Sequence, residues 1–533
     1  MSITFKRNYK LLVVLAVVAA VLLLALRDQR IIAYTTGGGA MQVAAQGVTG
    51  TAAVLCDYGS DVALFDESVV HTIQILISGA DYEQMITTYK ETGEKDYFHA
   101  DVIIDGVQVT NVGIRLKGFS SLRTALGGGG GPGGGQRPGG NWPQVDPENM
   151  PDMGDWPQAD PGNIPDMGDR PQRPDAGQVP AFPGGQMPGA QPGNMASDQA
   201  DGDAKLPFLI KFDKFVDGQT YQGYSRLAVR TYGGPFDASL LQEPVTNAVF
   251  RLAGLPAPRT AYIGLQINDE AEQLYTISEV IDETYLATHF SNPDGVLYKA
   301  EIGSSLGYSG EDPSAYARSF SQETRVNDAD MAPLIAFMRF LTESDDAAFE
   351  SDLPAWLDVD AFATYLAVNN LLVNIDSIAG MNNNYYLYYD DVAERFTLLM
   401  WDGNESLGKI AGNSRAATYD LYYQSQQGDG RGMGHSMGDS NILVKRFLAN
   451  PTFTALYEAN LQQVYQQAFV SGAISQQVEQ YAALVRQANE QRSLVESDAY
   501  EQDVASVLDF ITRRSAWLAT TPLLGGQAGA ASD

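Results

Sequence analysis

From residue 69 onward the chain alternates apolar and polar positions. Residues 69–78 (VVHTIQILIS), 98–105 (FHADVIID) and 107–118 (VQVTNVGIRLKG) read as strands of period two, with Asp105-Gly106 as the turn between the last two. Asp81 is placed to cap a short helix over 82–89. The alternation returns at 206–215 (LPFLIKFDKF), 224–232 (YSRLAVRTY), 260–267 and 273–278. Between the second and third of these, residues 239–253 have helical spacing, with Asp237 as the cap and Gly254, Pro256 and Pro258 as the stop. Pro244 fits only a first turn, which puts the regular helix nearer Glu243. A turn at 279–282 (EVID) leads into a helix holding Tyr285 and Phe290. Residues 303–330 read as a polar linker, 331–342 and 353–373 as helices, and 441–520 as a run of helices by period.

Two stretches break this pattern. Residues 126–204 are dominated by Gly and Pro, and a 14-residue unit repeats as WPQVDPENMPDMGD and WPQADPGNIPDMGD. The unit has neither helix nor strand period and too few large aliphatics to offset ordering entropy, so it reads as a disordered insertion between two strands. At the N-terminus, Lys6, Arg7 and Lys10 precede an apolar run from Leu11 to Leu26. A basic flank before such a run reads as an uncleaved signal anchor with the rest exported, and a cleaved signal peptide is the alternative. Residues 33–64, rich in Gly, Ala and Thr, read as a flexible spacer.

The formal charge of −31 over 533 residues argues against a nucleic-acid partner. The single cysteine, Cys56, excludes an intrachain disulfide. The four histidines stand apart and form no zinc pattern, and no Walker A or G-x-S-x-G motif occurs.

The most informative stretch runs from Asp360 to Gly408. A helical segment leads to Asn374-Ile375-Asp376. A turn with Asn382, Asn383 and Asn384 opens a hairpin, 385–389 and 396–401, and the second strand delivers Asp402 just before Gly403. A hairpin brings its own start and end together, so Asp376, Asn384 and Asp402 can converge. Two acids and an amide around one point suit a hard divalent ion such as Mg²⁺ or Mn²⁺. On spacing alone the same residues also read as ordinary turn chemistry. Upstream, Arg115-Leu116-Lys117-Gly118 precedes a small-residue loop, an arrangement suited to phosphate or to a plain turn.

These motifs, taken together and in order, resemble the CotH family, the spore-coat-H kinase-like proteins. Its N-x-D stands here as Asn374 to Asp376, its N-Y-Y-L-Y as Asn384 to Tyr388, and its W-D-x-(D/N)-x-x-x-G as Trp401 to Gly408. Its R-x-K-G-x-S-S falls at 115–121, its Y-x-x-x-E-x-I-D at Tyr275 to Asp282, and its G-x-L-Y-K at Gly295 to Lys299. The resemblance spans about residues 65–465, less the insertion.

The resemblance implies an α+β, two-lobed, atypical protein-kinase-like fold: a small lobe over 65–280 and a large lobe over 281–520. The small, polar residues at the end read as a disordered tail over 521–533. The resemblance also implies transfer of the ATP γ-phosphate to Ser or Thr of an exported or surface protein. Asp376 would handle the acceptor hydroxyl, and Asp402 and Asn384, with Asn404 assisting, would hold Mg or Mn. Asn404 stands where an acid would bind metal more strongly, and Asn383 competes with Asn384 as ligand. Glu243 would pair with the cation over the phosphates, which is Lys117, Lys211 or Arg230; sequence order does not decide among them. Glu279 lies at the expected hinge between lobes. The alternative is an inactive surface scaffold or adhesion protein of the same fold, consistent with the scarcity of ATP outside a cell. The other expected partner is the membrane, through residues 1–32.

Overall fold

The computed structural model describes residues 56–525 except 119–121, 123–124, 127–204, 232–237, 302, 410–415 and 424–440. The N-terminal apolar run, the repeats, the cap expected at Asp237 and the tail from 526 therefore lie outside the described residues. Among the described residues no helix is long and apolar enough to cross a membrane.

The fold is mixed α+β. Strands β1 (Asp57–Tyr58), β2 (His71–Ile77), β3 (Phe98–Ile104), β4 (Val107–Leu116), β5 (Phe208–Lys211), β6 (Thr220–Tyr221), β7 (Arg226–Arg230), β8 (Thr260–Ile267) and β9 (Gln273–Ser278) make the first half, with helices α1 (Gly79–Thr92) and α2 (Gln242–Leu252). Seven of these strands close a barrel in the order β2-β3-β4-β5-β7-β9-β8. The period-two pattern explains the closure. Ile73, Ile75, Val102, Ile104, Ile114, Leu116, Phe208, Ile210, Leu227, Val229, Ile263 and Ile277 all point into one buried core. The alternate positions of β4, β5 and β7 face outward and carry the cations Arg115, Lys211, Arg226 and Arg230.

The second half begins at helix α3 (Glu283–His289). Strands β10 (Val296–Ala300), β11 (Phe320–Gln322), β12 (Tyr385–Asp390) and β13 (Arg395–Met400) form an antiparallel sheet in the order β11-β10-β12-β13. One face packs on a large helical core built by α4 (Ala332–Glu343), α5 (Asp346–Trp356), α6 (Val359–Leu371), α7 (Ile442–Ala449), α8 (Pro451–Tyr465), α9 (Ala473–Arg492) and α10 (Ser497–Leu518). The other face carries Leu297, Tyr386, Tyr388, Leu399 and Trp401, which cluster with Ile281, Tyr285 and Leu286.

Several expectations differ from the structure. The disordered tail expected over 521–533 begins with a helical turn, Pro522–Gly525, with Leu524 buried. The first helix is capped by Ser78, which accepts from Asp81 N–H, and runs over Gly79–Thr92 rather than from a cap at Asp81. The spacer expected over 33–64 stops short of its end. Asp57 and Tyr58 pair in parallel with Thr220 and Tyr221, and Leu64 is buried with its backbone N–H on Gln222 Oε1 at 2.7 Å. The linker expected over 303–330 contains β11, three residues too short to show a period, which pairs with β10. The helix expected over 353–373 is two helices, because Asp358 caps a new start by accepting from Ala361 N–H at 3.1 Å. The helix expected from 239 starts at Gln242, since Leu240 sits at φ 52°.

The insertion joins neighbours. β4 and β5 pair antiparallel with Leu116 opposite Phe208, so residues 127–204 lie between two adjacent barrel strands. Replacing 127–204 by a short Gly-Ser linker is expected to leave the fold intact and to raise stability by about 1 kcal/mol, from the shorter loop to be closed. Thermal unfolding of the deleted chain checks this, and an insoluble or barrel-less product contradicts it.

Arg514 of α10 is fully buried, and its bonds to described residues run mainly to backbone. It donates to the carbonyl oxygens of Asn370 at 2.9 Å, Tyr419 at 2.7 Å, Leu371 at 3.3 Å and Ala417 at 3.3 Å. Burial pulls its pKa down to about 10, so it keeps its charge at neutral pH. It ties the end of α6, just before Asn374, to the segment that follows Asp402. Arg514→Met strands these carbonyls in the core and is expected to cost about 3–5 kcal/mol, read as a large fall in Tm. A variant within a degree of wild type contradicts that role.

Candidate functional site

The loop after α6 is shaped by its own backbone. Val373 adopts φ 52°, Asn374 N–H bonds Asn369 O at 2.8 Å, and Met381 N–H bonds Ile375 O at 2.9 Å. Gly380 lies so close to Ile375 that a Cβ there would collide with the Ile375 carbonyl. This closed turn presents Asp376. Asn383 Nδ2 donates to Asp376 Oδ1 at 3.0 Å and Asn384 Nδ2 to Oδ2 at 2.8 Å. Burial raises the Asp376 pKa to about 6; the Asn383 amide resists, while the charges of Asp402 and Glu405 push the same way as burial.

The hairpin then does what its spacing promises. Tyr385 pairs with Met400, and Trp401 N–H reaches Asn384 O at 3.3 Å, so the amide cluster and Asp402 meet. Asp402 is left-handed at φ 54°, ψ 64°, which turns its carboxylate off the strand line. Gly403 permits close approach to α2, for a Cβ there would come 2.8 Å from Thr246 Cγ2. The Thr246 and Ser406 hydroxyls bond each other across this contact.

The barrel supplies the cations. Arg230, at the end of β7, donates from Nε to Glu243 Oε2 at 2.9 Å and from Nη2 to Asp402 Oδ1. Glu243 is buried in the first turn of α2 and also accepts from Ser278 Oγ at 3.4 Å. Lys117 follows β4, with its backbone N–H on Pro207 O at 3.0 Å and Nζ over the Trp401 ring at 4.9 Å. Crowding by protein and then by the Arg230 charge lowers its pKa to about 7, with Asp402 pulling the other way.

Strand register separates the three cations left open by sequence. Lys211 pairs with Gly113 and Arg226, whereas Phe208 at the other end of β5 pairs with Leu116 and Val229. Lys211 is thus three residues, roughly 10 Å, from the end where Lys117 and Arg230 emerge. Arg230 makes the Glu243 pair, Lys117 joins it at Trp401, and Lys211 stays apart.

Glu279 also stays apart. Its side chain is fully enclosed and accepts from Arg259 Nε at 2.9 Å and Arg259 N–H at 2.7 Å. Burial would raise its pKa, but the nearby His289 ring and the bonds from Arg259 hold it near 2. Asn404 turns its Nδ2 to Glu405 Oε1 at 3.1 Å and its carbonyl to Lys409 Nζ at 3.4 Å. Sequence reasoning passed over Glu405 and gave Trp401 no role beyond opening the W-D motif. Their signal was only adjacency to Asp402, since neither stands at a spacing that demands chemistry.

Among the described residues no three His, Cys, Asp or Glu side chains gather as a metal cage. The Asp402 carboxylate and the Asn384 amide are hard oxygen donors too few to enclose an ion by themselves. That donor set fits a Mg²⁺-like ion that completes its shell with phosphate oxygens and water. Lys117 and Arg230 beside it fit the same phosphates.

The fold and this junction define a mixed α+β protein in which Asp402, just past the hairpin of the second sheet, meets Arg230 from the barrel rim. A family model described as CotH kinase protein matches residues 193–518, more than half of the chain. The chain belongs to this CotH kinase protein family. The match runs through α10, beyond the resemblance read from sequence, and leaves β1–β4 outside. The chain is similar to the inner spore coat protein H of Bacillus subtilis (strain 168), at 23% identity over 188 residues. That alignment covers 34% of this chain and 51% of the relative, so the chain spans about half the length of the curated relative it matches. Among solved structures it is similar to the Helicobacter pylori proinflammatory kinase CtkA, with TM-score 0.21 and 11% identity, covering 52% of this chain and 91% of that one.

Proposed function

We propose that this chain is an atypical protein kinase that transfers the γ-phosphate of ATP to Ser or Thr hydroxyls of an extracytoplasmic or surface protein. One observation carries the reading: Asn384 bonds both the Asp376 carboxylate and the backbone of Trp401, and the next residue, Asp402, is gripped by Arg230 beside Lys117. In this scheme the barrel is the small lobe and the helical half the large one.

The chain's own residues divide the work. Asp376, oriented by Asn383 and Asn384, accepts the hydrogen of the acceptor hydroxyl and aims its oxygen. Lys117 and Arg230 hold phosphate oxygens, and Glu243 keeps Arg230 extended. Asp402 and Asn384 would hold Mg or Mn, which neutralises charge on the phosphates when bound. The N-terminal apolar run would place this chemistry outside a membrane.

Lys117 gives the reading a pH signature. Its cationic form fades as pH rises through about 7, and bound phosphate restores it. ATP binding is expected to take up a proton at pH 8 and none at pH 6. Calorimetry in two buffers of different ionisation enthalpy measures this, and equal proton uptake at both pH values contradicts it.

A second reading, an inactive scaffold, is favoured by Arg230 already occupying Asp402. Full-length chain with γ-labelled ATP, Mn²⁺ and a Ser/Thr-rich acceptor protein separates the two. The kinase reading expects label on Ser or Thr that is lost in Asp376→Ala. Nucleotide binding without transfer supports the scaffold, and transfer that survives Asp376→Ala overturns the assignment of Asp376.

A further inference from the structure

Trp401 is 7% exposed at the end of β13, one residue before Asp402. Tyr386 meets its ring edge-on, with centroids 5.9 Å apart at 83°. Its backbone is fixed by the bond to Asn384 O. Two cations from the barrel lie over this one indole: Lys117 Nζ at 4.9 Å and Arg230 Cζ at 5.2 Å from the ring centroid.

Two like charges do not gather without a reason. Arg230 has one in its pairs with Glu243 and Asp402. Lys117 makes no ion pair within the described residues; its Nζ faces the indole ring instead. An electron-rich ring attracts a cation without neutralising it, so the charge stays available to an incoming anion. A carboxylate in that place would hold Lys117 just as well, but would also compete for it. The ring also bridges two parts of the fold, since Lys117 and Arg230 come from the barrel and Trp401 from the second sheet.

The geometry points to Trp401 as a positioning residue that holds Lys117 beside Arg230, so that both cations meet one polyphosphate. The inference rests on the phosphate-binding part of the reading above. A plain space-filling role is the competing account, and it makes Trp401→Phe and Trp401→Leu similar, because both shrink the side chain. The positioning role separates them, because only Phe keeps a π face.

The test uses the full chain and two probes, inorganic tripolyphosphate and ATP, both without metal, by calorimetry. Trp401→Leu is expected to weaken both by roughly tenfold, and Trp401→Phe by no more than about threefold. In the Lys117→Met background the Leu substitution is expected to add little, because the interaction is already gone. In turnover, Trp401→Leu is expected to raise KM for ATP more than it lowers kcat. Thermal melts accompany each variant, and if Trp401→Leu does not fold, Trp401→Met carries the same comparison. Equal affinity of the Leu and wild-type chains, equal losses for Leu and Phe, or a full Leu effect without Lys117 each overturn the inference. Wild type that binds tripolyphosphate but transfers no phosphate sinks the kinase reading and leaves this inference standing. Wild type that binds neither probe overturns both.

Discussion

Asp376→Asn is expected to abolish phosphoryl transfer and at the same time to make the protein more stable at pH 8. The first half follows from its role: loss of a group that accepts a proton in the transition state costs about 10²–10⁴ in rate. The second half follows from its pKa, which burial raises to about 6 in the folded chain. The unfolded value lies near 4. An acid raised in this way stabilises the fold while protonated, fully so below pH 4, and loses that contribution as pH climbs through 6. At pH 8 the buried charge is a liability of roughly 1–2 kcal/mol, after allowance for its partial exposure to solvent. Asparagine keeps an acceptor oxygen for one of its two amide neighbours, and the other amide turns over. Tm is therefore expected to rise by about 2–4 °C at pH 8 and to match wild type at pH 4. A variant that melts lower at pH 8, or that still transfers phosphate, contradicts the placement of Asp376.

Arg230→Met is expected to have the reverse character, with binding and stability lost together. Glu243 is 1% exposed and Arg230 4% exposed, so the substitution leaves a carboxylate buried beside an apolar chain. Breaking a buried pair from one side costs about 3–5 kcal/mol. Removing both partners, as Arg230→Met with Glu243→Leu, is expected to restore most of the lost Tm, since no unpaired charge remains. Nucleotide affinity is not expected to return, because no guanidinium reaches the phosphates. Arg230→Lys keeps the charge but cannot span Glu243 and Asp402 with one ammonium, so it falls between. Melting temperatures and nucleotide titrations of the single and double variants check this. A double variant no more stable than the single one would show that the pair does not act as a unit.

The strands and most helices were legible because a half-buried strand writes its register into alternate residues. β8 and β9 are found at the residues where alternation placed them. The meeting of Asn384 with the residues just before Asp402 was legible for a related reason: a hairpin must return to its start. The identity of the Glu243 partner was not. Lys117, Lys211 and Arg230 all stand at outward positions of neighbouring strands, and only the pairing of Phe208 with Leu116 and Val229 shows which two share an end. Glu279 illustrates the opposite limit. Its place before a helix was evident, but its enclosure by Arg259 depends on a residue 20 positions away in sequence. β11 escaped notice because three residues, Phe320, Ser321 and Gln322, are too few to show a period, and it exists through its partner β10.

The most direct measurement is a crystal structure of the full chain with Mn²⁺ and a non-hydrolysable ATP analogue, with the metal located by its anomalous signal. The account expects manganese bonded to the Asp402 carboxylate and to phosphate oxygens that also reach Lys117 and Arg230, with Asp376 facing the terminal phosphate. Nucleotide bound elsewhere, or manganese with no bond to Asp402, would contradict it.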